Sequence, residues 1–183
     1  MAYIAGHFSG FFSLTDFESA PSYLYIGSTE SGFEQSETNH YEPVHDDAFG
    51  DSEPDGVNMG VDTIVRCTWI EYNKIRIVLN QFSTLGVSNS NVGDLLSTQA
   101  GTLVLTPAPG TPAATEIGTG MSRVYYRAIL IGDVTFALSS KLRKGPLTWK
   151  CLPDPSQTPA YKWGIITTPS GCTVANVVGP PTS

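Results

Sequence analysis

The densest set of side chains suited to metal or acid–base chemistry lies in residues 40–47, His-Tyr-Glu-Pro-Val-His-Asp-Asp. Imidazoles and carboxylates are ligands that zinc and calcium use. The spacing here matches neither a zinc nor a calcium loop, and Pro43 prevents a helix from aligning the ligands. Asp46 and Asp47 are candidates for paired acid–base catalysis, but two adjacent loop residues seldom converge on one bond. We therefore expect a solvated or interface segment with no metal, no cofactor and no catalytic residue.

Motifs for nucleotide or ester chemistry are also missing from the sequence. Residues 56–60, Gly-Val-Asn-Met-Gly, lack the lysine and the strand–turn–helix setting of a phosphate-binding loop. No Gly-x-Ser-x-Gly motif is present, and Ser9-Gly10 and Ser31-Gly32 are ordinary loop dipeptides. The sequence therefore predicts a protein that is not an enzyme.

Residues 141–144, Lys-Leu-Arg-Lys, form a basic cluster near Trp149 and Lys150, which is one feature of nucleic-acid-binding surfaces. The net charge of −7 and the isoelectric point near 4.8 argue against a dedicated nucleic-acid binder. Twelve acids and no Lys or Arg occur in residues 1–65, whereas all ten basic residues and five acids follow. We interpret this division as a charge-complementary interface between copies of the chain. A solvated acidic loop is the alternative.

The elements that must position these residues are predicted to be short strands. Only 15% of the 183 residues are charged, and turn-forming Gly and Pro number 18 and 13. Together with the β-branched and aromatic residues, this composition is typical of strands joined by frequent turns. We expect one all-β domain over residues 1–183, a β-sandwich or half-barrel with one short flanking helix and a long early inter-strand loop.

Strand character recurs along the chain, most clearly where Ile75, Ile77 and Leu79 alternate with polar residues. Residues 61–72 and 74–82 form either a hairpin or one long bent strand. Residues 88–100, with Asn91 as the cap, are the helix candidate, and the tail 179–183 is expected to fray. The remaining predicted strands cover residues 22–27, 101–106, 121–131, 134–138, 146–152 and 162–168.

Residues 31–60 are long for a connection within a compact domain, and they are polar, acidic and rich in Gly. Phe33, Tyr41, Val44 and Phe49 nevertheless recur in this segment. A solvated linker does not need such apolar side chains. We therefore predict an extended interaction loop that becomes ordered against a neighbouring molecule.

The three cysteines, Cys67, Cys151 and Cys172, are odd in number and widely spaced, which does not suit a disulfide framework or a zinc site. Free cysteine is usually buried, so we expect three buried thiols. The first ten residues lack the basic and apolar regions of a signal peptide, and no apolar run approaches the roughly 20 residues that cross a bilayer. These features favour a reducing compartment and predict no membrane partner.

The order of several short motifs resembles the tail tube proteins, or major tail proteins, of long-tailed bacteriophages. A Phe49-Gly50-Asp51 turn leads to Asp55-Gly56, then to a strand ending near Arg66 and a second strand over residues 70–82. Late in the chain, residues 142–153 read Leu-Arg-Lys-Gly-Pro-Leu-Thr-Trp-Lys-Cys-Leu-Pro. The resemblance covers residues 1–170, and it departs at Cys67, where a small turn residue is more usual.

This resemblance implies a subunit that forms hexameric rings, which stack into a hollow tube for viral DNA. Neighbouring sheets join around the ring, and the long early loop, here residues 31–60, reaches the next ring. The partners are other copies and the tail sheath or other tail proteins, and DNA passes without specific binding. The location is the virion tail, assembled in the bacterial host cytoplasm. The expected inter-ring contacts are Phe33, Tyr41, Val44, Phe49, Lys141, Arg143 and Lys144. The expected lumen-facing acids are Asp46, Asp47, Asp51, Glu53 and Asp55.

The nearest alternative is another virion component on a related fold: a tail terminator, a tube initiator, a neck protein or a capsid decoration protein. A receptor-binding β-sandwich is more distant. It requires an exposed aromatic platform, for which Trp149, Tyr161 and Trp163 are candidates, although such aromatics usually lie in the core.

Overall fold

The computed structural model describes residues 8–13, 23–27, 29–44, 55–70, 95–118, 120–131, 145–157 and 164–172. The described elements, in chain order, are β1 (Phe8–Ser13), β2 (Leu24–Tyr25), β3 (Thr29–Val44), β4 (Asp55–Trp69), a 3₁₀ turn (Leu96–Thr98), β5 (Gly101–Pro107), α1 (Pro112–Ile117), β6 (Met121–Leu130), β7 (Gly145–Leu152) and β8 (Gly164–Thr167). None of the helices in these ranges is long and apolar enough to span a bilayer. The expectation of a mainly β fold is confirmed.

The described strands form one antiparallel sheet in the order β2-β1-β5-β6-β7-β4-β3. Two strands share one edge of β6, because β8 pairs with its residues 121–124 and β7 pairs with its residues 127–130. On the opposite edge, β6 pairs with β5. The sheet therefore divides at β6, and β3 is the last strand on the β7 side.

Alternation along β7 and along residues 63–69 of β4 builds the inner face of the sheet. In β7 the side chains of Leu147, Trp149 and Cys151 are buried, whereas the residues between them are more accessible. Such a period of two is the side-chain repeat of a strand. The inner core comprises Phe12, Ile26, Val65, Cys67, Trp69, Leu103, Leu105, Tyr125, Ala128, Leu147, Trp149 and Cys151.

The sheet curls, so that β3 lies over strands that are distant from it in the strand order. A Cβ atom added at Gly10 of β1 would collide with the ring of Phe33 in β3. The side chain of Gln35 in β3 bonds to two residues of β6. In the described sheet β2 and β3 are the two end strands of this order, and they do not pair with each other. The curled sheet is therefore open and forms a half-barrel.

The strands β1, β5 and β6 are covered on both faces. Phe12 and Leu105 face the inner core, whereas their neighbours Phe11 and Val104 belong to a second apolar cluster. The members of that second cluster are Phe11, Val104, Val124, Tyr126 and Cys172, with Tyr23, Tyr25 and Ile166 packed against it. Burial on both faces explains the nearly continuous apolar sequence of β5.

The single described α-helix is the short α1, and it begins directly after a segment that contains Pro107 and Pro109. Thr111 is the N-cap, and its hydroxyl oxygen accepts a hydrogen bond from the Ala114 amide at 3.4 Å. Pro112 then takes the first helical position, which favours proline because its missing amide proton is not needed there. The candidate at 88–100 differs: only Leu96–Thr98 forms a 3₁₀ turn, and residues 88–94 lie outside the described part of the chain.

The predicted strands at 101–106, 121–131, 146–152 and 162–168 correspond to β5, β6, β7 and β8, with ends shifted by a few residues. The run at 22–27 contains the two-residue β2. Three predictions lie outside the described residues: the strands 74–82 and 134–138 and the tail 179–183.

The largest difference concerns residues 31–60, which the sequence predicts to be an extended loop. Residues 31–44 and 55–60 instead belong to β3 and β4, which pair along most of their length as a hairpin. The sequence does not show the two-residue period of these strands. Both faces of the hairpin are exposed at its outer end, so apolar and polar residues need not alternate there.

Candidate functional site

The outer part of the β3–β4 hairpin projects from the body of the domain. We call residues 38–44 and 55–62 the arm; its pairing runs from Thr38 opposite Asp62 to Val44 opposite Asp55. Nearly all of its side chains are exposed, whereas Thr63 and Val65, which continue β4 into the body, are buried. At about 3.3 Å per residue the arm extends roughly 20 Å. It is therefore a two-stranded ribbon that receives little support from the described part of its own domain.

Large apolar side chains lie on this exposed ribbon. Tyr41 and Met59 are 65% and 61% exposed, and Val44 and Val57 are also exposed. Four of the six exposed large hydrophobic residues of the described chain are in the arm. Apolar side chains concentrated on one projection indicate an interaction site.

A β-bulge divides these apolar residues between the two faces of the arm. His40 pairs with Gly60 and Tyr41 pairs with Asn58, so Met59 is an extra residue in β4. Gly60 adopts a positive φ of 116° at this point, which favours glycine. Its amide also donates to the Asn58 side-chain oxygen at 2.8 Å.

The bulge moves Val57 to the face opposite Tyr41. Residues directly opposite in an antiparallel pair share a face, so Val57 lies with Glu42 and Asp55 lies with Val44. If β4 were regular, with Met59 paired in the ladder, Val57 would follow the buried residues 63, 65 and 67 onto the inner face, where Tyr41 is. The Tyr41 ring lies over Gly56, since a Cβ added there would be 3.2 Å from its Cδ2 atom.

The two faces of the arm consequently differ in charge. The inner face, which continues the core side of the sheet, is uncharged and consists of Asn39, Tyr41, Pro43, Gly56, Asn58 and Val61. The outer face carries all three acids of the arm, Glu42, Asp55 and Asp62, beside Val44 and Val57. The arm thus presents one neutral aromatic surface and one acidic apolar surface.

Asp62 connects the outer face of the arm to the body. Its carboxylate lies 3.0 Å from His40 Nε2 and 3.9 Å from the ammonium group of Lys150 in β7. All three side chains are about half exposed, so these contacts add little stability. They do align the base of the arm with β7.

A second connection lies on the inner side at the base of the arm. The Gln35 side-chain oxygen accepts hydrogen bonds from Tyr125 Oη at 2.8 Å and Arg123 Nη1 at 3.1 Å. Its amide donates to Glu37 at 2.7 Å. We call Gln35, Arg123 and Tyr125 the clamp, because it fixes β3 against β6 across the open half-barrel.

The predicted interface residues have different positions. Tyr41 and Val44 are exposed on the arm, and Asp55 stands at its outer described end. Phe33 is partly buried and packs against the core of its own subunit, so we assign it to internal packing. The other predicted site residues lie outside the described part of the chain: Asp46, Asp47, Phe49, Asp51, Glu53, Lys141, Arg143 and Lys144.

Sequence reasoning missed Val57, Met59 and Gln35. A signal for the first two was present, because the Asp55-Gly56 and Met59-Gly60 dipeptides frame two apolar residues within a polar segment. Nothing local distinguishes Gln35, since its role depends on a partner about 90 positions later in the chain.

The residues considered for chemistry show no catalytic arrangement in the part of the chain that the structure describes. No group of three or more His, Cys, Asp or Glu side chains suited to a metal is found there, and His45, Asp46 and Asp47 lie outside it. The expected burial of the thiols of Cys67, Cys151 and Cys172 is confirmed. Burial raises the pKa of the Cys67 and Cys172 thiols to about 12, so both are poor nucleophiles at neutral pH. Trp149 is fully buried in the core, and Tyr161 and Trp163 are not described.

No protein-family model matches the sequence, and no curated protein matches it significantly. Among solved structures, the chain is similar to one in the "Cryo-EM structure of the anti-feeding prophage (AFP) baseplate, 6-fold symmetrised". The two share 12% sequence identity and a TM-score of 0.47, over 91% of this chain and 97% of that chain. A TM-score below 0.5 does not establish a shared fold, so the function has to be argued from the geometry of the arm.

Proposed function

We propose that this protein is a structural subunit of a phage-type tail, and that it forms the tail tube as stacked rings of six copies around a DNA conduit. The observation that supports the proposal is the projecting arm, with its exposed Tyr41, Val44, Val57 and Met59. The sequence resemblance to tail tube proteins assigns the same segment to contact with the next ring.

The arm needs a partner on physical grounds. A two-stranded hairpin with no supporting layer is at best marginally stable in water. Here both of its faces are exposed, and among the described residues it is linked to the body by the half-exposed Asp62 group and by the clamp at its base. Docking on another copy would bury the apolar side chains and order the ribbon.

The outer edge of β3 provides a second type of contact. In the described sheet β3 is the terminal strand, so no other described strand pairs with one edge of its 16 residues. Such an edge binds another strand readily. We propose that it joins the sheet of the adjacent subunit, so that the rings enclose a continuous inner barrel.

The charge distribution fits stacking of rings in one direction. The arm contains Glu42, Asp55 and Asp62 and no Lys or Arg, whereas every basic residue of the chain follows Val65. A contact between unlike surfaces of two copies builds a filament instead of a closed dimer. Acids that face the lumen would also keep DNA mobile, because basic contacts to phosphate add affinity.

The proposed role is mechanical, without a catalytic step or a cofactor. The partners are other copies of the chain, with sheath or other tail proteins on the outside, and the protein resides in the virion tail. DNA is the passing cargo of the tube.

Electron microscopy of the purified chain in negative stain tests the proposal, and we expect rings that stack into tubes. The matched control replaces residues 39–61 with Asn-Gly. Because Thr38 and Asp62 are paired, this two-residue turn closes a short hairpin. The control should remain folded by circular dichroism and form no tubes.

Each outcome separates the candidates. A monomer that never assembles, at high protein concentration and in low and high salt, would overturn the proposal. Single rings that never stack would favour a tail terminator over a tube subunit.

A further inference from the structure

The chemical difference between the two faces of the arm leads to a more specific assignment, which rests on the proposed function. We infer that the arm inserts between two other copies of this chain, with its neutral Tyr41 face on one copy and its acidic Val57 face on the other. An assembled ring, and not a single subunit, then offers the complete binding site.

The first argument is the placement of the apolar residues. Tyr41 and Val57 lie on opposite faces, and both are exposed. One flat surface covers only one of these faces and leaves the other in water. Burial of both requires a cleft, and the boundary between two adjacent subunits is the cleft that every ring provides.

The second argument is area. A ribbon about 20 Å long and roughly 10 Å wide offers only a few hundred Å² on each face. A stable protein–protein contact buries about 800 Å² on each partner. One face of the arm falls well below this value, whereas two faces and the edges of the ribbon approach it.

The third argument is charge complementarity. The outer face holds Glu42, Asp55 and Asp62, so its partner surface must be basic or neutral. The inner face has no charged residue and needs no basic partner. All ten Lys and Arg residues follow Val65, outside the arm, so another copy can supply the basic surface.

The bulge is what creates two usable faces. The additional Met59 and the positive φ of Gly60 carry Val57 and Asp55 to the outer face. If the arm bound one surface through apolar contacts, a regular hairpin with Tyr41 and Val57 together would bury more apolar area there.

Cross-linking with a photoreactive residue counts the copies that the arm contacts. We would place p-benzoylphenylalanine at positions 41 and 57 of the same chain and mix this protein with an approximately twentyfold excess of wild type before tube assembly. Illumination followed by a denaturing gel should give covalent trimers of one labelled and two unlabelled chains. Chains labelled only at position 41 or only at 57 should give dimers.

The inference would be overturned if tubes form but the doubly labelled chain gives only dimers, with both cross-links on one partner. That result would leave the tube proposal intact. If wild-type protein forms no rings or tubes, the proposed function itself fails. The two failures are therefore distinguishable.

Substitution on each face of the arm gives an independent test. Tyr41→Ser and Val57→Ser, made separately, should each reduce the yield of tubes at least tenfold, with an unchanged denaturation midpoint, because the two residues lie on opposite faces. Met59→Ser is the matched control, since it keeps the bulge and both faces and should retain tube assembly. Normal tubes from either single variant would contradict the two-faced arm.

Discussion

The side-chain oxygen of Gln35 accepts a hydrogen bond from the hydroxyl group of Tyr125 at 2.8 Å, although β3 and β6 are three places apart in the sheet. The same oxygen accepts a hydrogen bond from Arg123. This clamp holds the curled sheet in shape at the position where the arm begins. It therefore links the stability of the domain to the direction in which the arm projects.

Loss of the clamp should destabilise the domain. Gln35→Leu has a similar volume and removes the acceptor that Tyr125 and Arg123 share, which should lower the free energy of unfolding by roughly 2 kcal/mol. Urea denaturation followed by tryptophan fluorescence measures the change. Tyr125→Phe removes only one of the two hydrogen bonds to Gln35, keeps the one from Arg123, and should lose less. A Gln35→Leu variant as stable as wild type would show that the clamp is incidental.

Two glycines mark close approaches within the half-barrel, and we expect their substitutions to differ in severity. A Cβ at Gly101 would collide with the backbone carbonyl oxygen of Ser13, whereas a Cβ at Gly10 would meet the ring of Phe33. Backbone yields less than a side chain, so Gly101→Ala should destabilise more than Gly10→Ala, each by about 1–3 kcal/mol or more.

Thermal denaturation compares these variants, with Gly56→Ala as the exposed control. A Cβ added at Gly56 would lie 3.2 Å from the ring of Tyr41, which is exposed on the arm and can move. The control should change stability by no more than about 0.5 kcal/mol. Equal melting temperatures for the Gly101 and Gly10 variants would contradict the predicted order.

The buried thiols predict a loss of stability at alkaline pH. Burial raises the pKa of Cys67 and Cys172 from 9.0 to about 12. In this range the unfolded chain releases these protons before the folded chain does. The stabilising effect is therefore fully present below pH 9 and is lost as the pH rises toward 12, by about 1.4 kcal/mol per thiol for each pH unit.

Urea denaturation at intervals from pH 7 to pH 11 measures this slope. Cys67→Ala should flatten it relative to wild type, whatever its effect on stability at pH 7. The pKa of Tyr125 is also raised, mainly by burial and further by Cys151, so part of the slope will remain. A slope that is the same in wild type and variant would show that Cys67 does not contribute.

The basic cluster at 141–144 is predicted to receive the acidic outer face of a neighbouring arm. The double variant Arg143→Glu, Lys144→Glu should form no tubes, because like charges would meet at the contact, and it should remain folded. Electron microscopy and circular dichroism measure the two properties.

Reversal of another basic pair controls for net charge. Lys74→Glu with Arg76→Glu changes the charge equally at positions that we do not place in the contact, and it should still assemble. Tubes of normal length from the Arg143, Lys144 variant would refute the proposed pairing.

The sequence predicted most of the strands because one or both of their faces are buried. Trp149 and Cys151 alternate with more accessible neighbours, and β5 contains an uninterrupted apolar run over residues 103–105, so the buried faces leave a visible pattern. The same rule explains the failure at residues 31–60. The arm strands bury neither face in the subunit, and Tyr41, Val44 and Val57 therefore follow no single period.

The helix was misplaced for a different reason. Asn91 followed by Leu95 and Leu96 matches the pattern of a capped helix start. In contrast, Thr111 and Pro112 follow a proline-rich segment, which is typical of a loop. Thr111 caps α1, and the helix is only six residues long, too short to show an apolar period. For the arm, the sequence indicated an interaction segment and two of its exposed apolar residues. The bulge and the clamp depend on pairing across the sheet, which local sequence does not encode.

The terminal strand β3 contains four glutamates, Glu30, Glu34, Glu37 and Glu42, and neither Lys nor Arg. Two such edges brought side by side would set carboxylates against carboxylates, and Pro43 would offer no amide proton. Pairing of two β3 edges is therefore unfavourable, and the edge is better suited to a strand of different sequence. If subunits join through this edge, as we propose, each must present two different edges, and two copies joined through β3 alone would not form a stable closed dimer.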